Sequence, residues 1–423
     1  MNRFPVLKLA LESLKSRRMT ALLTIISIAT AVALFIAVEN LRHGSRESFE
    51  RTISGTDLIV GARSSAINLV LYSVFQIGDA TNNVSWETYE EIADRDEVKW
   101  TVPISLGDTH KGYRVVGTTD AYFAHYRYAS DESLRFAEGG IFDDLFDIVI
   151  GAEVGRRLNY TLGSTLTLSH GTGGTSFSEH KDKPFRVSGV LAPTGTPVDR
   201  TVIVSLPAIE AIHLGWKNGT PTGMSRALTP ERVRELNLQP GDITAIYLAA
   251  TSRIQTLKLQ RDLNTYRAEP LQAVIPGVAL SRLWQMMSVA ERALATVSAF
   301  VIFVGLVGIV TSILTNLNER RREMAILRSV GARPRHIVAL LVSEAALLAF
   351  IGATLGVMLV YGVSWLVKDW LSSHFNLGTL ALAPGGFDIA VVAVITLLAA
   401  LFGIPPALVA LKRSLADGLS IRV

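Results

Sequence analysis

Four stretches of this chain are long and apolar enough to cross a lipid bilayer, and this limits its fold more than any other feature. A spanning helix needs about 20 mostly apolar residues. It must also satisfy its own backbone hydrogen bonds, because lipid supplies no partners. Residues 19–41, 291–317, 337–367 and 387–411 fit. The second holds the run LATVSAFVIFVGLVGIVTSILTNL. Charged residues make up 18% of the chain, below the roughly 25% of soluble proteins, as lipid-facing segments require. The first run follows basic residues, as the core of a signal peptide would. It is longer than the usual ~7–15 residues of such a core and continues as a polar helix over 39–51, so it reads as a retained span.

Orientation follows from the flanking charges. Cytoplasmic loops carry an excess of Lys and Arg. If all four runs cross, segment 1–18, loop 318–336 and tail 412–423 share one side. Together they hold 14 basic and four acidic residues, although the whole chain is only +4. Both termini are therefore expected in the cytoplasm, with residues 42–290 and the loop 368–386 outside. The expected fold class is an α-helical membrane protein with four transmembrane helices plus a large extracytoplasmic α+β domain with helical stalks. The first span reads as a helix continuing to about residue 54, and the second as beginning near residues 283–289. Such helices can carry movement out of the membrane or serve as plain anchors.

Within the external segment, 165–169, 185–191, 202–206 and 243–249 read as strands. The stretches 86–95, 148–158 and 230–236 read as partly helical. No nucleophile-elbow or zinc-protease pattern is present. His170 and His180 share one Gly/Ser-rich loop, which reads as a solvated hairpin rather than a metal site. Asp143, Asp144 and Asp147 read as a capping cluster rather than a cation site. The chain has no cysteine, which excludes disulfides and thiol chemistry. The run LIVGARSSAINLVLYSVFQI, over 58–77, reads first as a core helix. Its alternative is a surface near the outer leaflet, with Ile67, Leu71, Val74 and Phe75 as candidate substrate- or lipid-facing residues.

The loop 318–336 contains NERRREMAILRSVGARPRH. Its Ala, Leu, Arg, Glu and Met content favours a helix over 319–330. Ile326, Leu327 and Val330 fall near one face. Gly331 fits a C-cap, and Pro334 suits the start of the next helix. Three readings stay open on physics alone. The helix can lie on anionic lipid, merely satisfy the charge bias, or dock into a cleft on a cytoplasmic partner.

The run ERRREMAILRSVGARPRHIVALLVSEAALLAFIGATLGVMLVYG closely resembles the signature of FtsX-like permeases, the group containing MacB, LolC, LolE and FtsX. The order of parts is also similar: one span, a large external domain, then three spans. The stretch from VVGTTDAYFAHYRY through FAEGGIFDDLFDIVIGAEVGRRLNYTLGSTLTLS to FRVSGVLAPTGTPVDRTVIV resembles the MacB-like periplasmic core domain, less specifically. The tail departs from the family's Pro-x-x-x-Leu-Arg ending, with Ala416-Asp417-Gly418-Leu419 instead.

The resemblance implies a permease subunit of a MacB/LolCDE-type ABC transporter in the bacterial inner membrane, handling a hydrophobic or amphipathic substrate (a lipoprotein, lipid, peptide or drug). It implies that Glu319, Arg320, Arg321, Glu323, Ile326, Leu327, Arg328 and Gly331 form a coupling helix that inserts into a cytoplasmic ABC ATPase subunit. No Gly-x-x-x-x-Gly-Lys-Ser/Thr phosphate loop occurs in the chain. The chain is therefore expected to bind no cofactor and not to be an enzyme, with ATP and Mg on the partner subunit. Other implied partners are a second permease copy (homodimer or heterodimer), an extracytoplasmic adaptor or substrate-binding protein, and membrane lipids, but no nucleic acid. The alternatives are an FtsX-like scaffold that regulates an external partner without transport and, third, an accessory to metal uptake.

Inside the spans, Glu344 is expected to pair with an arginine of the loop. Gly352 and Gly356 form a close-approach face suited to helix assembly, including between copies. Pro405 and Pro406 are expected to kink or loosen the fourth span.

Overall fold

The computed structural model describes residues 18–50, 52–129, 131–170, 178–179, 183–217, 220–221, 229–315, 326, 328–329, 331–375 and 384–416. The chain divides into two compact units, Met1–Ser45 with Ser288–Val423, and Arg46–Met287.

The first unit is built on four long helices, Arg18–Glu50, Pro276–Thr315, Pro334–Phe375 and Gly386–Ala416. Each contains a segment long and apolar enough to span a membrane: Arg18–Asn40, Pro276–Thr315, Pro334–Val367 and Gly386–Leu411. Their apolar side chains point outward as well as inward. Leu23 (65%), Phe300 (66%), Leu366 (74%) and Ile389 (69%) are all largely exposed. In water such a surface would be a large uncompensated cost; against lipid tails it is neutral. Threonine hydroxyls within the spans turn back on their own helices. Thr30 donates to the Ile26 carbonyl at 2.9 Å, Thr354 to Phe350 at 2.7 Å and Thr396 to Val392 at 2.7 Å. That satisfies polar groups that lipid cannot serve.

Small residues make the buried seam between the third and fourth long helices. Leu341, Ala345, Ala349 and Ala353 recur every four residues on one; Ile395, Ala399, Gly403 and Ala407 do so on the other. Such i, i+4 ridges interdigitate, and short side chains let the backbones approach. A Cβ built on Gly403 would stand 3.1 Å from the Ala345 Cβ.

The second unit is an α+β domain around one mixed sheet. Nine strands form its main path: β1 (Leu58–Ala62), β2 (Val98–His110), β3 (Tyr113–Thr118), β4 (Phe136–Gly139), β5 (Asp147–Ile150), β6 (Phe185–Leu191), β7 (Thr201–Ser205), β8 (Ala245–Ala250) and β9 (Leu271–Val274). Their spatial order is β9-β1-β8-β2-β3-β7-β5-β6-β4. The pairs β7–β3 and β5–β6 are parallel, and the other neighbours antiparallel. β8 is buried along its whole length, so both of its faces are covered and its sequence is apolar throughout. β6 alternates between buried and more exposed positions, as a half-covered strand must. Serines cap the surrounding helices: Ser205 accepts from the Ala208 N–H, and Ser252 from the Gln255 N–H.

One reading of the external segment needs correction, and another is made sharper. The run over 58–77 is not one helix but β1 followed by the helix Ala66–Ser73. Val74 (4% exposed) and Phe75 (7%) lie inside the core with Ile59, Leu69 and Tyr72, so they do not form a lipid- or substrate-facing surface. Ile67 and Leu71 are half-buried, and Leu71 packs on that same core. The stretch 148–158 is β5 and then the helix Ala152–Leu158, separated at Gly151. A side chain there would meet the Val198 carbonyl at 2.3 Å, so the strand-to-helix corner tolerates only glycine.

Candidate functional site

The segment between the second and third spans is described at Ile326, Arg328, Ser329 and Gly331. Ile326, Arg328 and Ser329 are helical, and the Ser329 hydroxyl donates to the Ile326 carbonyl at 2.8 Å. Gly331 closes this turn, with φ at +98° and its N–H donating to the Arg328 carbonyl at 2.9 Å. A left-handed φ is cheap only for glycine, which is why a helix stops here. Pro334 then opens the third long helix. Ile326 is 58% exposed, so an apolar side chain stands open two positions before Arg328. Glu319, Arg320, Arg321, Glu323 and Leu327 lie outside the described residues.

Within the membrane unit, Glu344 is 1% exposed and immediately precedes Ala345, which packs against Gly403. Gly352 and Gly356 do form a close-approach face, and its occupant is the first span of the same chain. A Cβ at Gly352 would fall 2.9 Å from the Ile28 Cβ, and one at Gly356 2.6 Å from the Ala29 carbonyl oxygen. The fourth helix runs without interruption through Pro405 and Pro406, so the expected loosening does not break it.

One constellation escaped the sequence reading. Asp388, 4% exposed near the start of the fourth span, accepts from the Tyr361 hydroxyl at 2.7 Å and from the Gly385 N–H at 2.7 Å. Tyr361 in turn accepts from the Asn40 amide at 3.4 Å. Three spans are thereby tied together at one level. The signal available was only an aspartate within an apolar run, which marks a buried polar partner by default.

In the external unit the carboxylates of Asp144 and Asp147 are committed to protein donors. Asp147 accepts from the Asp143 and Asp144 N–H groups and from Arg186 at 3.0 Å. Arg234 grips Asp144 with two hydrogen bonds and holds its carboxyl below the usual range. Asp199, 8% exposed, accepts from Thr194 and Gly195, yet burial still raises its pKa. His213 faces the buried Asp108 at 3.6 Å. Burial opposes its charged form most strongly, but Asp108, with Glu210 and the Ile209 backbone, outweighs burial and raises the pKa. Ser169 and His170 form a short strand beside β2; His180 lies outside the described residues. Among the described residues, no three His, Asp or Glu side chains converge on a metal-sized site.

The chain passes between its two units along two long helices, and their junctions with the sheet are adjacent. Arg18–Glu50 leads into the first residues of β1, whereas β9 leads into Pro276–Thr315. β1 and β9 are antiparallel neighbours with Ile59 opposite Val274, so the entering end of one lies beside the leaving end of the other.

A model of the FtsX-like permease C-terminal domain matches residues 295–415, and one of the MacB-like periplasmic core domain matches residues 19–266. The macrolide export ATP-binding/permease protein MacB of Bordetella avium is 25% identical over 420 residues, covering 95% of this chain and 58% of that protein. The protein of the same name from Acinetobacter baylyi is 23% identical, covering 87% of this chain and 53% of its own length. The chain thus spans about half the length of these relatives. An uncharacterized ABC transporter permease of Methanocaldococcus jannaschii is 23% identical, covering 84% of this chain and 82% of that one. Among solved structures, the periplasmic region of MacB from Actinobacillus actinomycetemcomitans aligns with a TM-score of 0.33 and 12% identity, over 55% of this chain and 94% of that one.

Proposed function

The chain belongs to the family of ABC transporter permeases that join a MacB-like periplasmic core domain to an FtsX-like C-terminal domain, and from this we propose that it works as the permease of a MacB/LolCDE-type machine. In this reading ATP and Mg bind to an ABC ATPase subunit distinct from this chain. Residues 318–336 face the cytoplasm, as their arginines favour, and Glu319, Arg320, Arg321, Glu323, Ile326, Leu327, Arg328 and Gly331 seat in a cleft of that subunit. The arginines pair with carboxylates there, and Ile326 fills an apolar groove.

Closure of the ATPase moves this helix. The long helices Arg18–Glu50 and Pro276–Thr315 carry the movement to the β1–β9 corner of the external domain. The external domain then acts on a hydrophobic or amphipathic substrate outside the membrane: a lipoprotein, lipid, peptide or drug. A pore through the spans is unnecessary. A second permease copy completes the assembly.

The observation that carries this reading is that Ile326, Arg328 and Ser329 are helical, with Ile326 exposed and Gly331 closing the turn, between two spans. Co-purification of the full chain with its ATPase tests it. Deleting residues 319–331, or replacing Arg328 with Glu, is expected to abolish the complex while the chain still inserts in the membrane. An unchanged complex in both variants would refute the coupling role.

A further inference from the structure

The chain that follows the first long helix is tied to the external domain at Thr52, Ser54 and Asp57, the first of them through a buried tyrosine hydroxyl. The helix ends at Glu50, and β1 starts at Leu58. Between them, Thr52 is 1% exposed and its carbonyl oxygen accepts from the Tyr126 hydroxyl at 2.5 Å. Tyr126 is 3% exposed and packs on Tyr122, with ring centroids 5.0 Å apart. One residue further on, the Arg127 carbonyl accepts from the Ser54 N–H at 2.9 Å, forming an isolated antiparallel bridge. Asp57 then accepts from the Ala250 N–H at 2.9 Å, at the end of β8. Thr52, Ser54 and Asp57 are therefore each tied to the body of the domain.

This matters because a loop transmits displacement only if it cannot slip. Seven residues of unsupported chain between helix and strand would absorb a shift of several ångströms through their own dihedrals. The Tyr126 hydroxyl removes that slack at Thr52, the first described residue after the helix and one buried in the domain. Its ring would pack equally well as phenylalanine, so the hydroxyl is accounted for by its polar partners, the Thr52 carbonyl and the Thr196 side chain.

We propose that Tyr126 is a positioning residue that fixes Thr52 to the domain core, so that displacement of the first long helix reaches β1 instead of dissipating in the connection. This rests on the relay described under Proposed function and names the residue that makes the relay stiff.

The test uses the full chain with its ATPase in lipid nanodiscs. Backbone hydrogen exchange is read with and without a non-hydrolysable ATP analogue. In the wild type the nucleotide is expected to change exchange in peptides carrying β1 and β9 at least threefold. Tyr126→Phe is expected to lose that change at β1 while keeping the ATPase bound and a cooperative, lowered thermal transition of the domain. The chain has no native cysteine, so Ser54→Cys with Arg127→Cys can be oxidised cleanly to replace the lost tie. Cα atoms of paired antiparallel residues lie about 4.5–5.5 Å apart, within the range of a disulfide. Added to Tyr126→Phe, the oxidised pair is expected to restore the response and the reduced pair is not.

A wild-type response in Tyr126→Phe overturns the proposal. If Arg328→Glu abolishes the response and Tyr126→Phe does not, only the role of Tyr126 falls. If the wild type shows no nucleotide response at β1, or Arg328→Glu retains a full one, the relay itself falls and the role of Tyr126 with it.

Discussion

Gly356 rests against the backbone of Ala29, so closely that a methyl group on its Cα would stand 2.6 Å from the Ala29 carbonyl oxygen. Backbone atoms cannot turn aside as a flexible side chain can. Gly356→Val is therefore expected to separate the first and third spans and to lower stability by about 1–3 kcal/mol, the usual cost of overpacking. Thermal unfolding in detergent measures it. Gly362, which has open space around its Cα, serves as the control, and Gly362→Val should change little.

Tyr361 and Asp388 make the second prediction. The carboxylate is buried, and the tyrosine hydroxyl supplies one of its hydrogen bonds. Tyr361→Phe leaves that oxygen short of a donor, at a cost of about 1–3 kcal/mol. Asp388→Asn should also destabilise, and the double variant should be less destabilised than the two losses added together. Additive losses would show that the two side chains do not act as a pair.

A pH effect should come from His213. Its folded pKa is raised, so the Asp108 pair contributes fully below the ordinary imidazole pKa of about 6.5 and fades as pH rises through the raised value. Denaturant unfolding of the full chain in detergent, followed by a signal from the external unit, should show wild type exceeding His213→Gln at pH 5.5. The gap should close by alkaline pH. A gap that widens with pH would contradict the sign.

Phe75 and Ile77 differ by two positions and by environment. Phe75 is in the core and Ile77 is 54% exposed. Phe75→Ala should cost about 3–5 kcal/mol, whereas Ile77→Ser should stay within about 0.5 kcal/mol. Similar losses at both sites would return the segment to the surface.

The contrast between these two residues also shows where sequence reasoning stops. Spans announce themselves by length, because about 20 apolar residues in a row have few other uses. The run over 58–77 gave no such cue. A fully buried five-residue strand and a buried helix turn are both continuously apolar, so the break at Arg63-Ser64-Ser65 passed unread. The Gly352–Gly356 spacing disclosed a close approach, but any helix can be the one that approaches. Asn40, Tyr361 and Asp388 belong to three spans, and β1 sits beside β9 from the other end of the domain; pattern within a window cannot see either pairing. Gly331 was legible for the opposite reason, since a helix C-cap is decided by its nearest neighbours.

The adjacency of Ile59 and Val274 has a consequence for how the external domain can be handled as a unit. Paired strands lie only about 4.8 Å apart, so everything between β1 and β9 begins and ends at nearly one point. A block bounded in this way has both of its ends at one doorway, so it could be lifted out and the gap closed by a short linker between the two long helices.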